Sequence, residues 1–137
     1  MAASMEQDLY NRLTVAKTLA PAARTTTAAG TAVDLQGFVA AAAIINVGTW
    51  TDGTHAFSLQ ESDTTTDGDF ADVADADLQG TEPTVASGST QNTVYKLGYL
   101  GDKRYVRVKC TISGSPSTGL VAAADIVKSF GRHLPSA

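Results

Sequence analysis

The sequence predicts an all-β fold of antiparallel strands with an extended N-terminal arm, and three observations lead to this prediction. Residues 104–112 alternate between apolar or small side chains and polar ones, which is the period of a half-buried strand. Further short stretches rich in β-branched and aromatic residues are separated by turns with glycine, as in sandwiches and barrels. The 137 residues, 43% of them hydrophobic, suffice for one core without disulfides or metal. We expect an arm over residues 1–30 and a single β-sandwich domain over residues 31–137.

The strand predicted at residues 104–112 has one face for the core and one that is free. The inward positions are apolar or small: Val106, Val108, Cys110 and Ile112. The outward positions Tyr105, Arg107 and Lys109 provide an aromatic ring and two cations, and none of these groups is suited to catalysis. Cys110 is the single cysteine, so it cannot form an intramolecular disulfide, and we interpret it as a small buried hydrophobe.

The N-terminal segment combines a short amphipathic pattern with an extended remainder. Leu9, Tyr10 and Leu13 are spaced for one or two helical turns, with Asp8 as the N-cap. Pro21 is expected to end any such element. An arm of this kind either wraps its own domain or reaches to a neighbour.

Seven segments are predicted to be strands. They are residues 31–35, 38–47, 55–61, 70–74, 93–100, 104–113 and 120–130. Segments 38–47 and 120–130 contain alanine runs that favour helix, but their glycine boundaries and β-branched residues favour strands. Asp52-Gly53 and Asp67-Gly68 are the clearest tight turns, because Asp and Gly tolerate positive φ.

Charge is unevenly distributed along the chain. The net charge is −4, so no basic field attracts nucleic acid. Residues 61–82 contain eight acids and no base, whereas residues 96–132 contain seven bases and two acids. Several interpretations stay open: the acidic loop and the basic strand are simply solvated, they face each other in one subunit, they dock between copies, or they dock on a larger assembly.

The sequence offers no motif for catalysis, for a metal or for a cofactor. Residues 63–69 resemble half of a calcium loop, but Ala74 replaces the bidentate Glu that such a loop needs. His55 and His133 are isolated, and no metalloprotease, nucleophile-elbow or phosphate-loop pattern occurs. The prediction is therefore a protein without catalytic residues, metal ligands or cofactor, and not an enzyme.

Two further features concern the cellular compartment. The first eight residues include acids and no apolar core of a secretory signal. The longest apolar run, residues 39–45, is too short to span a bilayer, so no membrane partner is expected.

Six short strings of the chain carry a resemblance to a known family. They are DLYN at 8–11, LAP at 19–21, VDLQGF at 33–38, GTWTDGTH at 48–55, LQESD at 59–63 and GYLGDKRYVR at 98–107. Taken in this order, they resemble small virion proteins encoded among the head genes of tailed bacteriophages and prophages. The resemblance implies a jelly-roll-like β-sandwich and a structural role, as a capsid decoration (cement) protein or at the neck or tail. It also implies synthesis in the host bacterial cytoplasm, a final position on the capsid exterior, and two partners: the major capsid protein and further copies in a homodimer or homotrimer.

A second resemblance concerns three segments, at 57–63, 70–73 and 103–108, with an Asp-Gly turn between the first two. Together they look like discoidin-type jelly rolls. Those domains bind carbohydrate or lipid head groups, and the resemblance therefore implies a carbohydrate-binding module as the alternative. A sugar site of this kind uses exposed aromatic platforms, for which Trp50 and a few Tyr residues are the candidates here.

If the chain works by assembly, its contacts are expected on the arm, on the outward face of the strand at 104–112 and on the acidic loop 61–82. The candidate contact residues are Leu9, Tyr10, Leu13, Tyr105, Arg107 and Lys109.

Overall fold

The computed structural model describes residues 8–129, which form one short helix and eleven strands. The helix α1 spans Leu9–Arg12. The strands are β1 (Leu13–Arg24), β2 (Ala28–Ala29), β3 (Val33–Asp34), β4 (Ala40–Trp50), β5 (Thr54–Ser62), β6 (Ala71–Asp72), β7 (Leu78–Gln79), β8 (Thr84–Val85), β9 (Thr93–Tyr99), β10 (Tyr105–Ser113) and β11 (Leu120–Ser129).

Two antiparallel sheets pack face to face as a β-sandwich, which confirms the predicted all-β class. The five-stranded sheet has the order β1-β11-β4-β9-β7. The six-stranded sheet runs β2-β10-β5-β6, with β3 also paired to β10 and β8 also paired to β5. The strands differ greatly in length. Most of both sheets is formed by the six long strands β1, β4, β5, β9, β10 and β11.

The core lies between the sheets and is built from alternate residues of the long strands. The largest fully buried apolar side chains are Phe57, Leu19, Ile45, Leu59, Leu97, Leu120, Ile126, Val47, Val85, Val106 and Val108. Each such side chain contributes about 1.5–3 kcal/mol when it is removed from water. Val106, Val108 and Cys110 all lie in this core, as the alternation in β10 predicts.

Both alanine-rich segments are strands, and they lie side by side. β11 pairs with β4 from Ser129↔Ala40 to Leu120↔Trp50. Ala43, Ala122 and Ala124 are buried in this pair. Their small side chains leave room for larger ones from the facing sheet, which explains why helix propensity does not decide these segments.

The segment predicted to be an arm is, from Leu13 onward, part of the sandwich. β1 pairs with β11 from Leu13↔Ser129 to Arg24↔Leu120, with register irregularities between Lys17 and Ala22, around Pro21. The prediction that Pro21 ends the element is wrong, because the proline is accommodated at an edge-strand bulge. This part of the predicted arm therefore lies along its own domain. Residues 1–7 of the predicted arm and residues 130–137 lie outside the described part.

The local predictions at the N-terminus and at the turns have mixed outcomes. α1 is a single turn, and Asp8 caps it by accepting a hydrogen bond from the Asn11 backbone N at 3.3 Å. The turn at Asp52-Gly53 is confirmed, since Gly53 has a φ of +83° between β4 and β5. Asp67-Gly68 also lies in a tight turn, because Asp67–Asp69 is one turn of 3-10 helix in which the Phe70 backbone N donates to the Asp67 carbonyl, but Gly68 does not have the expected positive φ.

Candidate protein-contact surfaces

Arg107 points outward from β10, but its side chain is nearly buried and is held by residues of its own subunit. The residue is only 8% exposed. Its Nε donates to Gln60 Oε1 at 2.9 Å and its Nη1 donates to Asp67 Oδ1 at 2.7 Å. The Phe70 ring lies against the guanidinium, whose carbon is 4.1 Å from the ring centroid. The loop between β5 and β6 therefore folds back over the sheet and covers this cation.

Two further cations pair with acids of the same chain. Lys103 Nζ lies 3.1 Å from Asp63 Oδ2, and Arg104 donates two hydrogen bonds to Asp34 at 3.0 and 2.9 Å. The hydrogen bond from Arg104 lowers the pKa of Asp34, and the hydrogen bond from Lys103 lowers the pKa of Asp63. These contacts match the interpretation in which acids and bases face each other within one subunit.

Other acids of the 61–82 loop also bind to the domain that carries them. Glu61 accepts from the Tyr99 hydroxyl at 2.7 Å, and Glu82 accepts from the Leu59 backbone N at 2.8 Å. Burial, more than any other cause, raises the pKa of Glu82. Within residues 8–129, no group of three His, Cys, Asp or Glu side chains is placed to hold a metal ion.

A cleft of about 600 Å³ opens at one end of the sandwich. Its walls are the segments 35–41 and 101–104, together with Asp63 and Tyr99. Asp63 is already paired with Lys103, and the Tyr99 hydroxyl is held by Glu61. The charged wall of this cleft is therefore structured by internal contacts.

The predicted contact residues do not form one surface. Leu9 and Tyr10 on α1 are exposed, Tyr10 at 87%, and Leu13 is half-buried at the start of β1. Tyr105 and Lys109 are half-buried on β10, in the other sheet. The Arg104 guanidinium carbon stands 5.1 Å from the centre of the Tyr105 ring.

A broad surface that the sequence analysis did not identify is the solvent side of the five-stranded sheet, here called the outer face. Its members are the side chains of β1, β11, β4 and β9 that point away from the core. They are Val15, Lys17, Ala40, Ala42, Ile44, Asn46, Val94, Lys96, Val121, Ala123, Asp125 and Val127. Three of its valines are largely exposed: Val15 at 55%, Val94 at 60% and Val121 at 47%.

A signal for the outer face is present in the sequence. β4 and β11 are apolar at nearly every position, whereas β10 alternates. A strand that is apolar on both sides is typical of a sheet covered on both faces. In residues 8–129 one side of the five-stranded sheet is covered by the second sheet and the other side is not.

Three of the aromatic residues considered for a sugar site are engaged within the domain, whereas Tyr10 is 87% exposed. Trp50 is half-buried, and its Nε1 donates to the Gly53 carbonyl at 2.9 Å. Tyr95 donates its hydroxyl to the Thr90 carbonyl, and Tyr99 is buried. None of these three rings is an open platform.

The helix α1 has four residues, and no helix in the described range is long and apolar enough to cross a bilayer. A scan of protein-family models finds no match to this chain, and a search of curated proteins finds no match either.

Proposed function

We propose that this chain is a non-enzymatic structural protein of a tailed-bacteriophage head, of the capsid decoration (cement) type. Its partners are the major capsid protein and further copies of itself, and its place is the capsid exterior after synthesis in the bacterial cytoplasm. The observation that carries this proposal is the outer face, a wide and largely apolar surface on a domain in which Lys103, Arg104 and Arg107 are paired internally. The virion setting rests on the resemblance of the short strings, and the jelly-roll-like assignment remains a prediction attached to it.

The proposed mechanism is the addition of contact area between capsid subunits. A sandwich is rigid because each sheet is held by its ladder and by a shared core. A rigid domain that binds two neighbouring capsid subunits raises the free energy needed to separate them, and this resists the pressure of packaged DNA. Exposed Leu9 and Tyr10 and half-buried Tyr105 and Lys109 are available for such contacts on two different sides.

The experiment that tests this function is co-sedimentation of the purified protein with phage heads assembled without it. We expect saturable binding with a stoichiometry fixed by the head lattice, and no binding to heads that already contain the protein. Failure to pellet with the heads at protein concentrations well above micromolar would contradict the proposal. If the protein binds only to the portal end or to tails, the neck or tail role replaces decoration.

The carbohydrate-binding alternative depends on aromatic platforms, and the contacts of Trp50 do not favour it. It predicts a glycan-array signal that is lost on Trp50→Ala without loss of folding. Such a signal would show a binding module, which can coexist with a place on the virion.

A further inference from the structure

The two outer surfaces of the sandwich differ sharply in chemistry. The outward positions of β5 are Ala56, Ser58, Gln60 and Ser62, and those of β10 are Tyr105, Arg107, Lys109 and Thr111. This side is polar, as expected for a sheet face that contacts water. On the outer face, Ala42, Ile44, Ala123 and Val127 occupy the centre instead. An apolar sheet face of this width indicates a protein contact.

The sheet edges are unsuited to association, so the face is the better candidate. β1, the edge next to β11, contains Pro21 and irregular registers. The strand β7 at the opposite edge has two residues, as do β2, β3, β6 and β8 in the other sheet. Short strands, bulges and proline all prevent a second chain from extending a sheet.

The centre of the outer face has a charge pattern that complements itself. In one row across the sheet, four residues are cross-strand neighbours in this order: Lys17 on β1, Asp125 on β11, Ile44 on β4 and Lys96 on β9. An acid and a base thus flank Ile44 on opposite sides. Asp125 and Lys96 have no ion-pair partner within residues 8–129.

We propose that the outer face binds a second copy of this chain across a two-fold axis that runs along β4 and passes over Ile44. Rotation about this axis exchanges β11 with β9, so Asp125 of each copy lies opposite Lys96 of the other. Ile44 then packs on Ile44 of the second copy, as an isologous interface requires.

The neighbouring row supports the same axis. Asn46 on β4 pairs with Ala123 on one side and with Val94 on the other. The axis places Val94, which is 60% exposed, over the small Ala123 of the second copy. Asn46 meets Asn46 of the second copy, and two amides can donate to and accept from each other.

The size of the face is sufficient for a specific but modest dimer. Four strands and about nine residues per strand give a face of roughly 19 Å by 30 Å, from the usual spacings in sheets. Two such faces bury about 1,100 Å², at the low end of specific interfaces. The dimer is therefore expected to depend on concentration. The role of this dimer on the head rests on the proposed function, whereas the contact itself is inferred from the strand registers of the outer face alone.

The test is a charge-exchange cycle measured by sedimentation velocity on the protein alone, without heads. Asp125→Lys and Lys96→Asp each create two repulsive contacts in the dimer, so each raises the dissociation constant about 30-fold. The double variant reverses both partners and restores the affinity to within about threefold of the unchanged protein. Asp102→Lys, the same charge change at an exposed position outside the outer face, leaves the affinity unchanged.

The double variant also controls for folding. Asp125 is the cross-strand neighbour of Lys17 on β1, so Asp125→Lys places two lysines side by side in both the single and the double variant. A double variant that folds and dimerises therefore shows that this change does not unfold the protein. If Asp125→Lys does not fold, Ile44→Cys provides an independent measurement. A short bis-maleimide should link two copies through residue 44 at the axis, whereas Val121→Cys, on the same face and away from the axis, should link far less.

Two results would overturn the dimer: a single species of 14.1 kDa at about 0.5 mM protein, or single and double charge variants with equal affinity. Head binding by a protein that stays monomeric would remove this inference and leave the proposed function intact. A dimer that does not bind heads would contradict the proposed function and leave this inference intact.

Discussion

At the scale of single residues, long side chains bring distant parts of the chain together. Arg107 on β10 contacts Gln60 on β5 and Asp67 in the loop that follows, residues separated from it by 47 and 40 positions. Alternation correctly predicts that Arg107 points away from the core. It cannot predict that Phe70 and Asp67 return to cover it, because that contact depends on the path of a loop.

Replacing Arg107 by Ala should lower the free energy of unfolding by about 2–3 kcal/mol, because the Gln60 and Phe70 contacts of a nearly buried guanidinium are lost. Urea denaturation measures this change. Lys109→Ala, on the same face of the same strand, serves as the control and should stay within about 0.5 kcal/mol. Equal effects of the two changes would mean that Arg107 does not hold the loop.

Asp52 gives a prediction for acid stability. Its carboxylate accepts hydrogen bonds from the backbone N of Gly119 and from the backbone N and hydroxyl of Ser117, and these bonds lower its pKa. A carboxyl whose folded pKa is lowered stabilises the fold above its ordinary pKa, and this contribution disappears as the pH falls through the folded value. Asp52→Asn should therefore melt at a lower temperature at pH 7, with the difference shrinking below about pH 3.8. A difference that is constant with pH would contradict this assignment.

Cys110 gives a prediction for reactivity. Burial raises the pKa of its thiol to about 11. Since the thiolate is the reacting form, the folded protein should react with an aromatic disulfide reagent at pH 8 at least about a hundredfold more slowly than the protein in urea. The exposed thiol of the Val121→Cys variant is the positive control. Rapid modification of Cys110 in the folded state would show that the strand pair opens.

At the scale of elements, the strongest patterns were predicted and the weak ones were not. All seven predicted segments contain strands of the structure. β1 is not predicted, because Pro21 is expected to end the segment and residues 13–19 show no clean alternation: Thr18 and Leu19 are adjacent and both buried. β2, β7 and β8 have two residues each, and two residues cannot show a period. Asp67-Gly68 forms the predicted tight turn without the expected positive φ, because a 3-10 turn keeps φ negative.

The inclusion of β1 in the sandwich can be tested through Leu19. This residue is 2% exposed in the core, and Thr18 beside it donates its hydroxyl to the Thr31 carbonyl at 2.8 Å. Leu19→Ala should lower the free energy of unfolding by about 2–4 kcal/mol, the range for large-to-small changes in a core. Lys17→Ala, exposed on the same strand, should have little effect. A Leu19→Ala protein with unchanged stability would show that β1 is an appendage.

At the scale of the whole molecule, the sandwich combines one polar surface with one apolar surface. The polar surface was predicted from β10, because a single alternating strand reveals both of its faces. The outer face could not be predicted in this way, because it exists only when β1, β11, β4 and β9 are neighbours in that order. Its apolar character is visible in β4 and β11 alone, while the row of Asp125, Ile44 and Lys96 exists only once the registers are known.

The proposed function connects these scales. Internal ion pairs fix the loops, the strand ladders make the domain rigid, and the surfaces that remain are suited to contacts with protein. We propose that this protein binds a phage head as an ordered structural component.

The most direct measurement is cryo-electron microscopy of heads assembled without this chain, after incubation with the purified protein. We expect additional ordered density on the outside of the capsid, repeated at symmetry-related positions and fitted by the two-sheet sandwich. Heads that remain bare at saturating protein concentrations, with their own lattice intact, would contradict it.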